Sequence, residues 1–192
     1  EAYSIAMLLQ EQMTQTGKRF DVQIFATDID PEAIETARAG VYPDGIAADV
    51  SPERLNRFFI QKDSTYHINK TIRDRVIFAE QNVIADPPFS KLDLISCRNL
   101  LIYMESELQK KVLSLFHYAL QPQGFLLLGT SESIGEFTDL FDPVDRTHKI
   151  FRRKEGVTAV TMTRRSPPSS FRDRAGDASH VKDEREISIR EV

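Results

Sequence analysis

The apolar positions of this chain follow two periods. Apolar residues three and four apart predict helices, and short unbroken apolar runs between turn residues predict buried strands. Ile5, Leu8, Leu9 and Met13 recur at helical spacing and predict an amphipathic helix over residues 1–16, ended by Gly17. Residues 22–27 (V-Q-I-F-A-T) read as a strand, followed by Asp28-Ile29-Asp30-Pro31. Asp30 suits an N-cap and Pro31 the first turn of a helix over 32–39, closed by Gly40. Residues 41–49, with Pro43 and Gly45, read as a loop. Ser51 and Pro52 then open a helix with Leu55, Phe58 and Phe59 as its apolar face.

Residues 61–72 are polar, with a short alternating piece around Tyr66, His67 and Ile68 that predicts a hairpin or an excursion beside the main sheet. A strand over 75–80 and a rigid turn at Asp86-Pro87-Pro88-Phe89 follow. Residues 92–96 form the next apolar run, which turns polar at Arg98 and Asn99 and apolar again at Leu100, Leu101 and Ile102. A long helix is predicted over 105–120, with Leu108, Val112, Leu115, Phe116 and Ala119 on one face. Pro122-Gln123-Gly124 is expected to end it before a strand at 125–128, which runs into Gly129-Thr130-Ser131-Glu132-Ser133. Residues 137–141 read as short helical or irregular structure, and 142–145 with 149–153 as a closing antiparallel pair, His148 lying at a strand end. Strands near 22, 75, 92 and 125 alternate with helices, which predicts a three-layer α/β fold with a mostly parallel sheet.

Composition narrows the function. At 192 residues the chain suffices for one ordinary domain, and a net charge of -4 lacks the basic footprint of a nucleic-acid-binding protein. No apolar run approaches the roughly 20 residues of a membrane span. The single cysteine, Cys97, cannot form an internal disulfide, which points to a reducing, cytoplasmic setting. No Cys/His/Asp cluster with metal-ligand spacing surrounds His67, one of four histidines, and no metal site is expected. The chain opens Glu1-Ala2-Tyr3, without methionine and already inside a helical pattern, which reads as a piece of a longer protein. From Gly156 onward apolar positions are too few for independent folding, and 155–192 is expected to be linker or disordered tail.

Candidate chemistry gathers at strand ends, where open α/β sheets form their ligand crevice. Asp28 can accept both hydroxyls of a ribose, although an acid there can also be a solvated turn residue. Asn82 follows the strand at 75–80 as Asn99 follows the one at 92–96. Arg98 offers a fixed fork of donors for a carboxylate. These groups suit a ligand with a ribose, an adenine and a carboxylate. Cys97 beside them reads as a buried thiol, because no histidine neighbours it in sequence.

Several motifs resemble one family. Y-S-I-A-M-L-L at 3–9, F-A-T-D-I-D-P at 25–31, A-R-A-G-V-Y at 37–42, D-L-I-S-C-R-N-L-L-I-Y at 93–103 and L-L-L-G-T-S-E-S at 126–133 together look like the CheR-type chemotaxis receptor methyltransferases. The resemblance covers residues 1–154. It implies a Rossmann-like α/β methyltransferase domain with a small insertion at about 51–74. It also implies the cofactor S-adenosylmethionine, and transfer of its methyl group to glutamate side chains of chemoreceptor cytoplasmic domains. By resemblance Asp28 binds the ribose, and Asn82 with Val83 lies against the adenine. Arg98 and Asn99 line the methionine end, Tyr103 lies near the methyl group, and Glu1 matches the last acid of a G-E-E run beside the cofactor. The version C-R-N-L-L-I-Y and the tail resemble hybrid proteins that join methylesterase, methyltransferase and PAS-type modules, so neighbouring signalling modules are expected.

Two family features are expected to lie before Glu1: the first strand with its glycine-rich turn, and an N-terminal helical domain. Without that strand the sheet is expected to have an internal edge, and residues 1–192 alone to bind the cofactor poorly. No glycine stands between Gly45 and Gly124, so the glycine-rich loop of members that grip a receptor tail peptide is not expected. Two other functions compete. A non-catalytic methyltransferase-like sensing or scaffold module would be expected to lose some of Asp28, Asn82, Arg98, Asn99 and Tyr103, all of which are present. A nicotinamide-dependent dehydrogenase would use Asp28 but would leave the Arg98-Asn99 pair and Tyr103 without a role.

Overall fold

The computed structural model describes residues 1–155, so the sequence-based reading of the tail beyond Glu155 lies outside the described residues. Helix α1 (Ala2–Thr16) buries Tyr3, Ala6, Met7 and Met13 as one face. Strand β1 (Ile24–Asp28) runs parallel to β5 (Val76–Glu80), in register from Ile24 opposite Val76 to Asp28 opposite Glu80. Between them in sequence, α2 (Pro31–Ala39) starts as its residues dictate. The Asp30 carboxylate accepts from the Glu32 N–H at 2.9 Å, and Pro31 occupies the first turn.

The reading of 41–49 as a loop is corrected. Val41–Pro43 forms β2, followed by a 3-10 helix at Asp44–Ala48. Three residues are too few to show a strand period, and β2 exists because a later strand offers it an edge. Helix α3 (Pro52–Phe58) is capped by Ser51 and ends one residue before Phe59, which opens β3 (Phe59–Lys62). With β4 (Thr65–Ile68) these make an antiparallel sheet of order β2-β4-β3, which contains the expected hairpin. Pro43 is accommodated because β2 is an edge strand. A single turn, α4 (Lys70–Arg73), is capped by Asn69 and leads into β5.

Strand β6 (Leu92–Cys97) runs parallel to β7 (Leu120–Leu128). Helix α5 (Ser106–Ala119) connects them, after a 3-10 turn at Leu101–Tyr103. Strand β7 begins earlier than residue 125, and Pro122-Gln123-Gly124 lies inside it as a register shift. Leu92 faces Leu120, and Leu94 faces Phe125. Glycine is required there, because a Cβ on Gly124 would come within 2.9 Å of the Gln121 carbonyl and 3.2 Å of the Leu92 carbonyl. The turn chemistry of these three residues therefore serves a bulge rather than a helix stop. A 3-10 turn at Phe137–Asp139 precedes β8 (Phe141–Asp145) and β9 (Ile150–Arg153), which close the sheet antiparallel. His148 lies in their turn, its Nδ1 2.8 Å from Asp145 Oδ2.

The main sheet lies in two pieces, β1-β5 and β6-β7-β9-β8, with β1 and β6 as edge strands of their own pieces. Each piece has its own core. One gathers Tyr3, Ala6, Phe58, Ile72 and Val76 around α1 and β5. The other gathers Val112, Phe116, Leu126, Leu128 and Phe141 between α5 and β7. The candidate residues lie where the chain leaves β1, β5 and β6, with Glu1 at the start of α1.

Candidate functional site

The first turn leaves β1. Asp28 is exposed, and its Oδ1 accepts from the Asp30 N–H at 3.0 Å. The Asp28 carbonyl accepts from the Gln81 N–H at 2.9 Å, which brings the chain leaving β5 alongside. Next along is Asn82, whose Oδ1 accepts from the N–H groups of Ile84 and Ala85 at 3.0 and 3.2 Å, while its own N–H donates to Asp86 Oδ2 at 2.7 Å. The amide oxygen is thus engaged in the turn, and among the described residues Nδ2 makes no hydrogen bond. Val83 is half-buried against the core of β6 and β7. Phe25 and Phe89 stack at 4.7 Å and fix the turn beneath.

The second turn leaves β6. Arg98 donates from Nη1 to Glu1 Oε2 at 3.2 Å, and Ser96 donates from Oγ to Glu1 Oε1 at 2.6 Å. Both partners of the ion pair remain about two-fifths exposed. Asn99 has a left-handed backbone, φ 60°, a conformation asparagine tolerates better than most residues. Tyr103 stands 81% exposed, at the end of the 3-10 turn. Beneath the turn lies Glu132, buried to 3% exposure. Its Oε1 accepts from the N–H groups of Leu100 and Leu101 at 2.9 and 2.8 Å, and its Oε2 from the Gly129 N–H at 2.7 Å.

Cys97 is buried at the end of β6. Burial first, then the negative charges of Glu132 and Glu1, push its thiol up to about 12. A thiol held protonated at neutral pH is a poor nucleophile, which agrees with its reading as packing.

The structure brings Glu1 and Arg98 into contact and sets Asn99 and Tyr103 on the same turn. Asp28 and Asn82 are neighbours through Gln81, and among the described residues no hydrogen bond joins this pair to the Glu1–Arg98 pair. Sequence reasoning passed over Ser96 and Glu132. Ser96 stands one residue before the buried Cys97, where strand alternation turns it to the opposite face. Glu132 follows a glycine at a strand end, a position that reads equally as a solvated loop. The concavity lined by Glu11, Ser51, Glu53, Arg54 and Arg57 holds none of these residues, and Arg54 is engaged there by Glu11 through two bonds of 2.8 Å. Among the described residues no group of three or more His, Cys, Asp or Glu side chains could hold a metal ion.

Asp28 and the Arg98–Glu1 pair lie at carboxyl ends of parallel strands, where open α/β sheets form their ligand crevice. The profile of the CheR methyltransferase, SAM binding domain, matches residues 1–150, and the chain belongs to that family. Its fold is accordingly the Rossmann-like α/β fold of S-adenosylmethionine-dependent methyltransferases. A protein of Rhodobacter capsulatus, described as an uncharacterized 104.1 kDa protein in the hypE 3' region, is 38% identical over 91% of this chain and 19% of its own length. The putative methyltransferase Cher3 of Pseudomonas putida is 36% identical over 80% of this chain and 58% of its own length. A chemotaxis protein methyltransferase of Vibrio parahaemolyticus is 40% identical over 75% and 54%. The chain thus spans about a fifth of the first relative and little more than half of the other two.

The donor set fits S-adenosylmethionine. The cofactor's amino-acid end carries an ammonium, and Glu1 offers it a partly exposed carboxylate, with Arg98 beside it. Among the described residues Asp28 Oδ2 accepts no hydrogen bond, which suits a diol. Among the described residues no helix is long and apolar enough to cross a membrane.

Proposed function

We propose that this domain transfers methyl groups from S-adenosylmethionine to glutamate side chains of chemoreceptor cytoplasmic domains, in the cytoplasm. The observation that carries this reading is the meeting of Arg98, Ser96 and Glu1 at the carboxyl end of β6. Asp28 holds the ribose hydroxyls, and Asn82, through Nδ2, and Val83 flank the adenine. Glu1 takes the ammonium of the methionine end. Arg98 and Asn99 line the reacting centre, and Tyr103 borders it. When bound, the cofactor supplies a methyl group already activated by its sulfonium. A receptor glutamate is ionised at pH 7, so its attack needs no general base. The work left to the protein is positioning, and Arg98 orients the incoming carboxylate. Its attraction must stay modest, because gripping the ground state as tightly as the transition state gains no rate. Residues 1–154 form the catalytic domain in this reading, with the small insertion at about 51–74 and signalling modules beside it in the same chain.

The test is methyl transfer by the intact protein, with labelled S-adenosylmethionine and receptor cytoplasmic fragments. Base-labile label on the receptor is expected, and Arg98→Ala is expected to lower the rate by about 100-fold or more. A folded protein that neither binds the cofactor nor transfers label would overturn the proposal in favour of a scaffold role.

A further inference from the structure

We infer that Glu132 is a positioning residue, a buried carboxylate clamp that sets the direction of the Arg98–Asn99 turn from a different strand. Three backbone N–H groups converge on it. Gly129 donates from the end of β7, three residues away in sequence, and that bond alone would make Glu132 a local turn cap. The other two come from Leu100 and Leu101, 32 and 31 residues away, on the chain that leaves β6. One buried side chain therefore ties the turn that carries the candidate site to the neighbouring strand end.

The turn needs such a tie. Asn99 is left-handed immediately before Leu100, and Arg98, the residue before it, donates to Glu1. Charge-assisted bonds to two successive N–H groups fix Leu100 and Leu101, and with them the residues on either side, Asn99 and the 3-10 turn that ends at Tyr103. Gly129 completes the device. A Cβ at that position would lie 2.7 Å from Glu132 Oε2 and 3.2 Å from the Asn99 amide nitrogen, so no larger residue fits between clamp and turn. Among the described residues Glu132 makes no ion pair, and Glu1 alone pairs with Arg98 there. Glu132 acts through the backbone and does not itself reach the reacting groups.

The consequence for cofactor binding rests on the methyltransferase reading, whereas the clamp can be read without it. In the intact protein, Glu132→Gln replaces one acceptor oxygen by a donor without changing shape. Amide hydrogen exchange at Leu100, Leu101 and Gly129 is expected to quicken by about tenfold or more, while Leu126 in the core keeps its protection. Unchanged exchange at Leu100 and Leu101 would overturn the inference. Affinity for S-adenosylmethionine is expected to fall about tenfold in Glu132→Gln. Combined with Arg98→Ala, the substitution should add nothing, because both act through one contact. Additive losses would mark Glu132 as merely structural and also overturn the inference. Should Glu132→Gln fail to fold, Gly129→Ala displaces the same carboxylate, and the same two measurements apply with the same expectations. A wild-type protein that binds no cofactor would sink the methyltransferase reading, and the exchange experiment would still decide the clamp.

Discussion

The turns after β1 and β6 solve the same problem in opposite ways. Both leave the carboxyl end of a parallel strand, and both carry polar residues assigned to the site. After β1, Asp28 accepts from the Asp30 N–H and Asp30 from the Glu32 N–H, so each bond spans two residues and lies in solvent. After β6, the turn hangs on a carboxylate more than 30 residues away, out of solvent. The first turn is specified by its own residues and would survive transplantation. The second exists only when β6 and β7 are already paired. A site assembled from both takes one part from local chemistry and the other from the fold, which makes its Arg98 side the sensitive one.

Substitutions can break this contrast, Glu132→Ala with the largest effect. Glu132→Ala removes the acceptor of three N–H groups and is expected to lower unfolding free energy by about 3 kcal/mol or more. Asp28→Ala, at the local turn, is expected to cost less than about 1 kcal/mol, because water replaces the lost acceptor. Urea titration of both measures the difference, and equal losses would erase the distinction. Gly129→Ala should cost about 2 kcal/mol by crowding Glu132 and the Asn99 amide, although alanine ordinarily stiffens the unfolded chain favourably. Asp30→Ala should cost about 1 kcal/mol, the ordinary value of a lost helix cap, without effect on amide exchange at Leu100.

The smallest effect near neutrality concerns pH. His117 on α5 is buried edge-on against Phe141, and its Nε2 lies 3.2 Å from the Lys154 carbonyl. Burial lowers its pKa below the ordinary 6.5, Arg153 adds to the lowering, and the Lys154 carbonyl opposes it. Below 6.5 the unfolded chain therefore binds a proton that the folded one resists. The stability that His117 contributes is present in full above about pH 6.5 and is lost as pH falls through the folded value. Chemical denaturation between pH 7.5 and 5 should show this slope in the wild type and a flatter one in His117→Gln. An equal slope in both would mean that other groups carry it.

Much of the fold was legible in sequence because it rests on neighbours. Pro31 after Asp30 and Pro52 after Ser51 announce helix starts whose caps the structure then displays, whereas the single turn capped by Asn69 falls in a stretch read only as polar. The alternation of helices with the strands read near residues 22, 75, 92 and 125 was legible for the same reason. Strand β2 was not, since three residues with a proline carry no period. Nor was the bulge at Pro122-Gln123-Gly124, where turn residues lie inside a strand because β6 supplies the partner.

For the site, the sequence by itself determined which chemistries are present: an acid at the end of β1, and an arginine and an asparagine at the end of β6. These follow from apolar runs ending in polar residues, a pattern that local spacing fully contains. Only the tertiary structure decided that Ser96 and Arg98 share Glu1, and that a buried Glu132 holds the turn behind them. Those contacts join residues 31 to 97 positions apart. Their formation depends on which strands pair and which side chains lose water, and no local pattern of apolar and polar positions records either.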